Sequence, residues 1–379
     1  MQSKQVSEAK QPPSVPSEGR IVSIDVLRGF DMFWIVGGTG FIAGIVKLFG
    51  QNVQDAILPQ FDHTAWAGFT FYDLIFPLFL FVVGMTTVFS LEKIIAREGK
   101  KAAYIRILRR SALLFLLGVI YYGGFKNEWE NIRWLGVLQR IALCYMFASL
   151  LFLNLRLKGL IIACVALLAG YWALLSFVPV PDSGTVTFES GKNWACYIDM
   201  QYLGGRKHNG TWDPEGLLST FPAIATCLLG IFAGMVIKAK TILPTKKVVY
   251  FIGAGIIGVI LGYLWGLQFP IIKKIWTSSY VLLTAGYSSI LVGIFYYIVD
   301  VLKFQIWTKP FIWIGTNAIT IYMARNILDF NKLGIRFVGG DIQTLTGPDL
   351  GYLLKTTASL GLTLLLVWFL HRKKIFLRL

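Results

Sequence analysis

Residues 61–90 read FDHTAWAGFTFYDLIFPLFLFVVGMTTVFS, and how this stretch is read decides the fold. It opens close to His63, passes Thr64, Thr70 and the acid Asp73, and then runs apolar to Ser90. Such a run is long enough to cross the hydrocarbon of a bilayer as a helix. The chain holds three histidines, and this one stands just before a span rather than in a tail. Imidazole is the side chain best suited to proton transfer near neutral pH. His63 is therefore the candidate chemical centre, at one mouth of a membrane bundle. Asp73 is the internal acid available to orient it or balance its charge.

Composition extends that reading to the whole chain. Of 379 residues, 55% are hydrophobic and 15% charged, more apolar than an ordinary soluble domain of this size. Apolar runs recur at roughly 24–46, 69–91, 108–125, 134–154, 159–178, 216–237, 248–268, 279–300, 308–328 and 352–371, about ten candidate spans. The fold class expected is an all-α polytopic membrane protein. The net charge of +16 suggests positive-inside loops rather than nucleic-acid binding, because no basic soluble domain with stacking aromatics is visible. Residues 1–20 carry Pro12, Pro13 and Pro16 without an apolar core and read as a disordered cytoplasmic tail. The remainder, 21–379, reads as one membrane domain. Of the four cysteines, Cys144, Cys164 and Cys227 fall in apolar runs and Cys196 stands alone, so no metal or disulfide spacing appears.

Basic residues set the orientation. Lys93, Arg97, Lys100, Lys101, Arg106, Arg109 and Arg110 form the largest cluster, and Lys246 and Lys247 another. Lys126, Lys192, Lys273 and Lys332 are scattered on the other side. The asymmetry predicts both termini in the cytoplasm and His63 facing outward. The longest connection, about 179–214, is then extracytoplasmic. Its Trp194, Tyr197, Asp199, Tyr202, Arg206, His208 and Trp212 suit a sugar as well as they suit a plain cap over the bundle. Asp213-Pro214-Glu215 closes it, with Asp213 expected to cap the next span and Pro214 to begin it.

Charge at mid-membrane costs about 2.5–3.5 kcal/mol, which makes buried ionisable residues functional candidates. Asp25, Arg28 and Asp31 lie three apart on the first span, followed by Gly37, Gly38 and Gly40. Gln139 and Arg140 begin the fourth span beside Arg133, and Asn317, Thr320, Tyr322 and Arg325 run along the ninth. Each alone fits an internal hydrogen-bond network, and together they imply a polar cavity. Asp25, Arg28, Asp31, Trp66, Gln139, Arg140 and Asn317 are the candidate substrate-binding residues.

Several ordered motifs carry a resemblance. RIVSIDVLRG at 20–29, HTAWAGFT at 63–70 with DLIFP at 73–77, RWLGVLQR at 133–140, DPEGLLST at 213–220, KIWTSS at 274–279 and NAITIY at 317–322 are similar to those of heparan-α-glucosaminide N-acetyltransferase and its bacterial relatives among the transmembrane acyltransferases. The similarity covers nearly everything after residue 20. It implies acetyl transfer from cytosolic acetyl-CoA to an amino sugar or glycan across the membrane, with no metal. It also implies a multi-pass protein of a bacterial cytoplasmic membrane, in contact with lipid, and leaves a homodimer open. The family's active-site histidine falls on His63. Its assisting asparagine falls on Thr39, a hydroxyl that can donate one hydrogen bond but lacks an amide's paired donor and acceptor. The catalytic candidates are thus His63, Asp73 and Thr39, with Arg106, Arg109, Arg110 or Lys246 expected to meet the phosphates of the donor. Two rival readings are a sugar transporter working by alternating access and a glycan-modifying enzyme with another donor.

Overall fold

The computed structural model describes residues 21–126 and 128–377, so the expected 1–20 tail lies outside the described residues. Helices dominate, and among the described residues the only β pairing is two isolated bridges, Ala67 with Ile272 and Lys207 with Gly210. Among the described residues, eight helices are long and apolar enough to cross a membrane. The chain is an integral, multi-pass membrane protein.

The eight are reconciled with about ten expected spans by two differences. Phe71–Tyr121 is assigned as one helix of 51 residues, which would be roughly 75 Å long if straight. It is broken at Gly99, whose φ of 83° is a left-handed value open to glycine. Tyr122, just past one end, and His63, just before the other, line the same cavity, so the chain doubles back and crosses twice. Residues 92–107, left between the expected spans, are helical on both sides of this break, and the basic residues from Lys100 to Arg110 form the first turns of the returning helix. Lys and Arg are good helix formers, and their positive charge marked the membrane boundary without ending the helix. The expected span 308–328 is interrupted at Asn317, giving Thr308–Thr316 and Ala318–Ile327. Both pieces are too short to span alone.

The first span is also irregular. Val22–Phe33 passes into a π-helical segment, Trp34–Gly38, before Thr39–Val46. Gly37, with φ of 142°, supplies the conformation that the wide turn needs. Broken helices of this kind are tolerated at membrane depth where they border a cavity.

Two devices fix the start of Phe71–Tyr121. Thr70 and Asp73 form a reciprocal capping box. Pro77 cannot donate to the carbonyl of Asp73, and the Tyr280 hydroxyl donates to that carbonyl instead, at 2.6 Å. The same helix packs backbone to backbone on Thr220–Lys238, where a side chain at Gly84 would collide with the Cys227 carbonyl.

A polar cap covers one end of the bundle. Trp194–Tyr202 is a short helix started by Asn193, whose side chain accepts from the Cys196 amide at 3.1 Å. Asp199, on the buried side of that helix, accepts from the amides of Asp213 and Leu217. Burial pushes the Asp199 carboxyl up to about 6, with those amides opposing. The helix expected to start at Pro214 begins only at Thr220, because the Asp213 carboxylate is committed elsewhere. It binds Arg133 and accepts from the amides of His208 and Glu215. Its hydrogen bonds to Arg133 overcome the penalty of burial and hold it below the usual carboxylate range.

Candidate active site

The site is assembled where the cap meets the bundle. Segment 61–70 is tied down by Gly68, whose amide donates to the Ile271 carbonyl at 2.9 Å, and by Lys274, whose ammonium donates to the Ala65 carbonyl at 2.8 Å. These ties set His63 against the first turn of Phe71–Tyr121. His63 Nδ1 is 2.8 Å from Asp73 Oδ1, and the ring stacks on Tyr72 at 4.7 Å. The Asp73 carboxylate is fully buried, whereas the imidazole is about half exposed at 48%. Asp73 Oδ2 accepts from the hydroxyls of Thr64 and Thr70, each at 3.1 Å, and from the Thr70 amide at 3.2 Å. One oxygen thus serves the imidazole while the other anchors the loop.

Lys273 completes the cluster. Its Nζ lies 2.8 Å from His63 Nδ1, 3.0 Å from Nε2 and 3.4 Å from Asp73 Oδ1. Burial lowers the pKa of this amine, with the charges of Asp73 and Glu215 opposing. Next to it, Arg133 reaches Asp213 and Glu215 at 2.7 and 2.8 Å. Burial disfavours the guanidinium charge, but the Asp213 hydrogen bonds and neighbouring charges hold its pKa above the ordinary value.

Three cavities lie in series through this cluster. A cap-side vestibule is lined by Arg133, His208, Asn209 and Trp276, and it shares His63, Val137, Glu215 and Lys273 with a central cavity. The central cavity continues past Tyr72, Phe76 and Tyr322. It shares Phe79, Leu138, Ile141, Ala318 and Ile319 with a third cavity, which opens among Arg28, Arg106, Arg110 and Asn317. An imidazole end and an arginine end thereby lie on either side of one shared apolar constriction.

The expected site residues distribute unevenly along this lumen. Arg28, Arg106, Arg110 and Asn317 line the arginine-end cavity, and Arg109 faces the hollow adjoining it. Asp25 pairs with Arg28 at 2.9 Å, and Arg28 Nε also donates to the Gly315 carbonyl at 2.6 Å. Asp25 and Arg28 therefore sit away from His63, at the opposite mouth. Lys246 is exposed on Pro244–Gly266 and lines none of these cavities; its neighbour Lys247 turns inward to the Ile237 carbonyl. Trp66 is built into the cap, donating to the Phe188 carbonyl at 2.9 Å and packing edge-on against Trp212. Arg140 is buried under the cap, donating to the Gly216 carbonyl and Ser219 and lying over Trp276. Gln139, also buried, donates to the Arg133 carbonyl. Asp31 is fully buried with no partner to either carboxylate oxygen among the described residues.

Thr39 donates to the Trp34 carbonyl at 2.7 Å, closing the π-helical turn, and it neighbours the Tyr72 hydroxyl rather than the imidazole. Lys273, Glu215 and Tyr72 are among the lumen residues that sequence reasoning did not assign to the site. Lys273 counted only as a scattered external charge, and its one sequence signal is its place beside the KIWTSS motif, just before a span.

Two mammalian proteins are similar to this chain. It is 28% identical over 377 residues to the Mus musculus heparan-alpha-glucosaminide N-acetyltransferase and 27% identical over 423 residues to the Homo sapiens protein of that name. These alignments cover 83% and 94% of the chain. Most of the chain is thus similar to the heparan-alpha-glucosaminide N-acetyltransferases of these two mammals. The chain spans 56% and 59% of the length of these relatives, so it corresponds to little more than half of each. No family model matches.

Proposed function

We propose that the protein is a transmembrane acetyltransferase, taking acetyl from acetyl-CoA at the arginine end and delivering it to the amine of an amino sugar or glycan at the cap end. The observation that carries this reading is the row of adjoining cavities from Arg106 and Arg110 to His63, which meet at Phe79, Leu138 and Ile319. The two mammalian relatives bear names that describe N-acetyl transfer to a glucosaminide, and they support the same class of reaction. By the positive-inside rule the arginine end is cytoplasmic, which suits a bacterial cytoplasmic membrane.

The residues present fit the donor by charge and shape. Arg28, Arg106 and Arg110 surround one mouth, as a diphosphate and a sugar phosphate require. The apolar neck suits a pantetheine arm and keeps water from the thioester. At the cap end, the tautomer in which His63 Nδ1 donates to Asp73 leaves Nε2 as the basic nitrogen. His63 then takes the proton from the acceptor nitrogen as the N–C bond forms, and returns it to the thiolate as the C–S bond breaks. Acetyl carried on the imidazole itself is a second route through the same residues.

The test is acetyl-CoA consumption by the purified protein with glucosamine as acceptor. The expected result is acceptor-dependent release of CoA that falls at least about 100-fold in His63→Ala. Undiminished release in that variant removes His63 from the chemistry. Sugar flux across vesicles without any need for acetyl-CoA supports the transporter reading instead.

A further inference from the structure

We infer that Lys273 is a positioning residue that sets the protonation range of the His63–Asp73 pair, keeping the imidazole available as a neutral base. This role rests on the reading of His63 as the base in acetyl transfer. Three observations carry it. Lys273 Nζ is within hydrogen-bond distance of both ring nitrogens. It lies 3.4 Å from the same Asp73 oxygen that meets the imidazole. Its side chain is only 17% exposed, so its charge is weakly screened where it faces the ring.

The physical argument is a competition for one carboxylate. A buried Asp73 with His63 as its sole cationic partner would favour imidazolium, because an adjacent opposite charge stabilises the charged form. An imidazolium cannot accept a proton from an amine. A lysine ammonium on the same oxygen supplies the counter-charge that Asp73 needs and opposes a second positive charge a few ångströms away. The lysine reaches this position because Ala67 bridges to Ile272 and Lys274 is held on the Ala65 carbonyl.

The other charged groups around Lys273 nearly balance one another. Glu215 is tied to Arg133, which also holds Asp213. Lys274 is occupied by a backbone carbonyl, and Asp62 stands next to His63 on the exposed loop. His208 lies across the vestibule, and the uncharged phenol of Tyr72 stacks on the imidazole. Asp73 and Lys273 are therefore the two charges in direct contact with the ring.

The experiment measures the protonation of His63 without relying on turnover. Diethyl pyrocarbonate reacts with neutral imidazole, and peptide mass spectrometry across a pH series gives a midpoint for each of the three histidines. His371, far along the chain, serves as the internal reference. In Lys273→Met the His63 midpoint rises by about one pH unit or more relative to His371, so that the neutral fraction on the acid side drops about tenfold. Lys273→Arg keeps the charge and stays near the wild-type midpoint. Lys273→Gln, which retains a polar side chain, repeats the measurement if the methionine variant does not fold. A His63 midpoint that stays in place or falls in the charge-removing variants overturns the role.

Acetyl transfer is followed in parallel. Its acid limb moves upward with the same spacing in Lys273→Met, while the KM for acetyl-CoA stays within about twofold. Turnover with an unmoved His63 midpoint leaves the acetyltransferase reading intact and removes this role for Lys273. A shifted midpoint with no acetyl transfer by any form of the protein does the reverse.

Discussion

Asp73 carries six distinct demands on two oxygens, and that division explains why a carboxylate stands there. Oδ1 faces His63 and Lys273, while Oδ2 collects the amides and hydroxyls of both Thr64 and Thr70. Asparagine has one acceptor oxygen and one donor group. In Asp73→Asn, an amide oxygen left with the threonines turns its NH₂ toward a ring N–H and an ammonium, donor against donor. Acetyl transfer is expected to fall on the order of 10²–10³-fold, with a loss of about 1–3 kcal/mol of stability from the mismatched buried group. Turnover assays and thermal unfolding in detergent check both, and wild-type turnover in this variant would detach Asp73 from the mechanism. The pairing of His63 with Asp73 was partly legible, because the two are ten residues apart on one short segment. Lys273 was not, because it is 210 residues from His63, and a lone lysine near a span end is an ordinary feature of membrane topology. Thr39 differs in kind: the resemblance put a helper at its position, and in the structure the π-helical turn commits its hydroxyl to the Trp34 carbonyl.

At the scale of elements, hydrophobic run lengths located the spans but not their interruptions. Nothing in the apolar pattern of 308–328 marks Asn317 as a break, since one amide in a greasy stretch reads equally well as an interior hydrogen-bonding group. Pro77 was legible as a local disturbance of the second span. Its repair was not, because the donor comes from another helix, Ser278–Phe295. Tyr280 is completely buried and its hydroxyl gives the 2.6 Å bond to the Asp73 carbonyl that the proline leaves open. Tyr280→Phe preserves the ring and removes only that donor. The expected cost is about 1–3 kcal/mol, the penalty for a buried carbonyl without a partner. Acetyl transfer should fall further than a uniform loss of folded protein accounts for, since the first turn beneath Asp73 is loosened. Thermal unfolding and turnover per folded molecule separate the two effects; an unchanged melting temperature would mean that water or a neighbouring hydroxyl takes over the bond.

For the molecule as a whole, the two ends of the lumen were easier to foresee than its middle. Both are rich in residues that stand out in an apolar sequence, an imidazole at one and arginines at the other. The neck between them is built from Phe79, Leu138, Ile141, Ala318 and Ile319, which look like any other core positions until helices are placed around them. Ile319 is half-buried and lines both cavities, so a larger side chain there enters the passage rather than the packed core. Ile319→Trp is expected to lower acetyl transfer at least about tenfold, by blocking the reach of a donor from the arginine end to His63. Overpacking in a close-packed interior costs typically 1–3 kcal/mol, roughly, but a lumen gives the indole space, so the melting temperature should move less than the rate. His63, approached from the vestibule, should keep its reactivity toward diethyl pyrocarbonate. That combination, an intact and accessible imidazole with failed transfer, is the signature of a thioester that must pass the neck. Full turnover in Ile319→Trp would instead mean that donor and acceptor meet from the same side, and the lumen would then have no part in delivering acetyl.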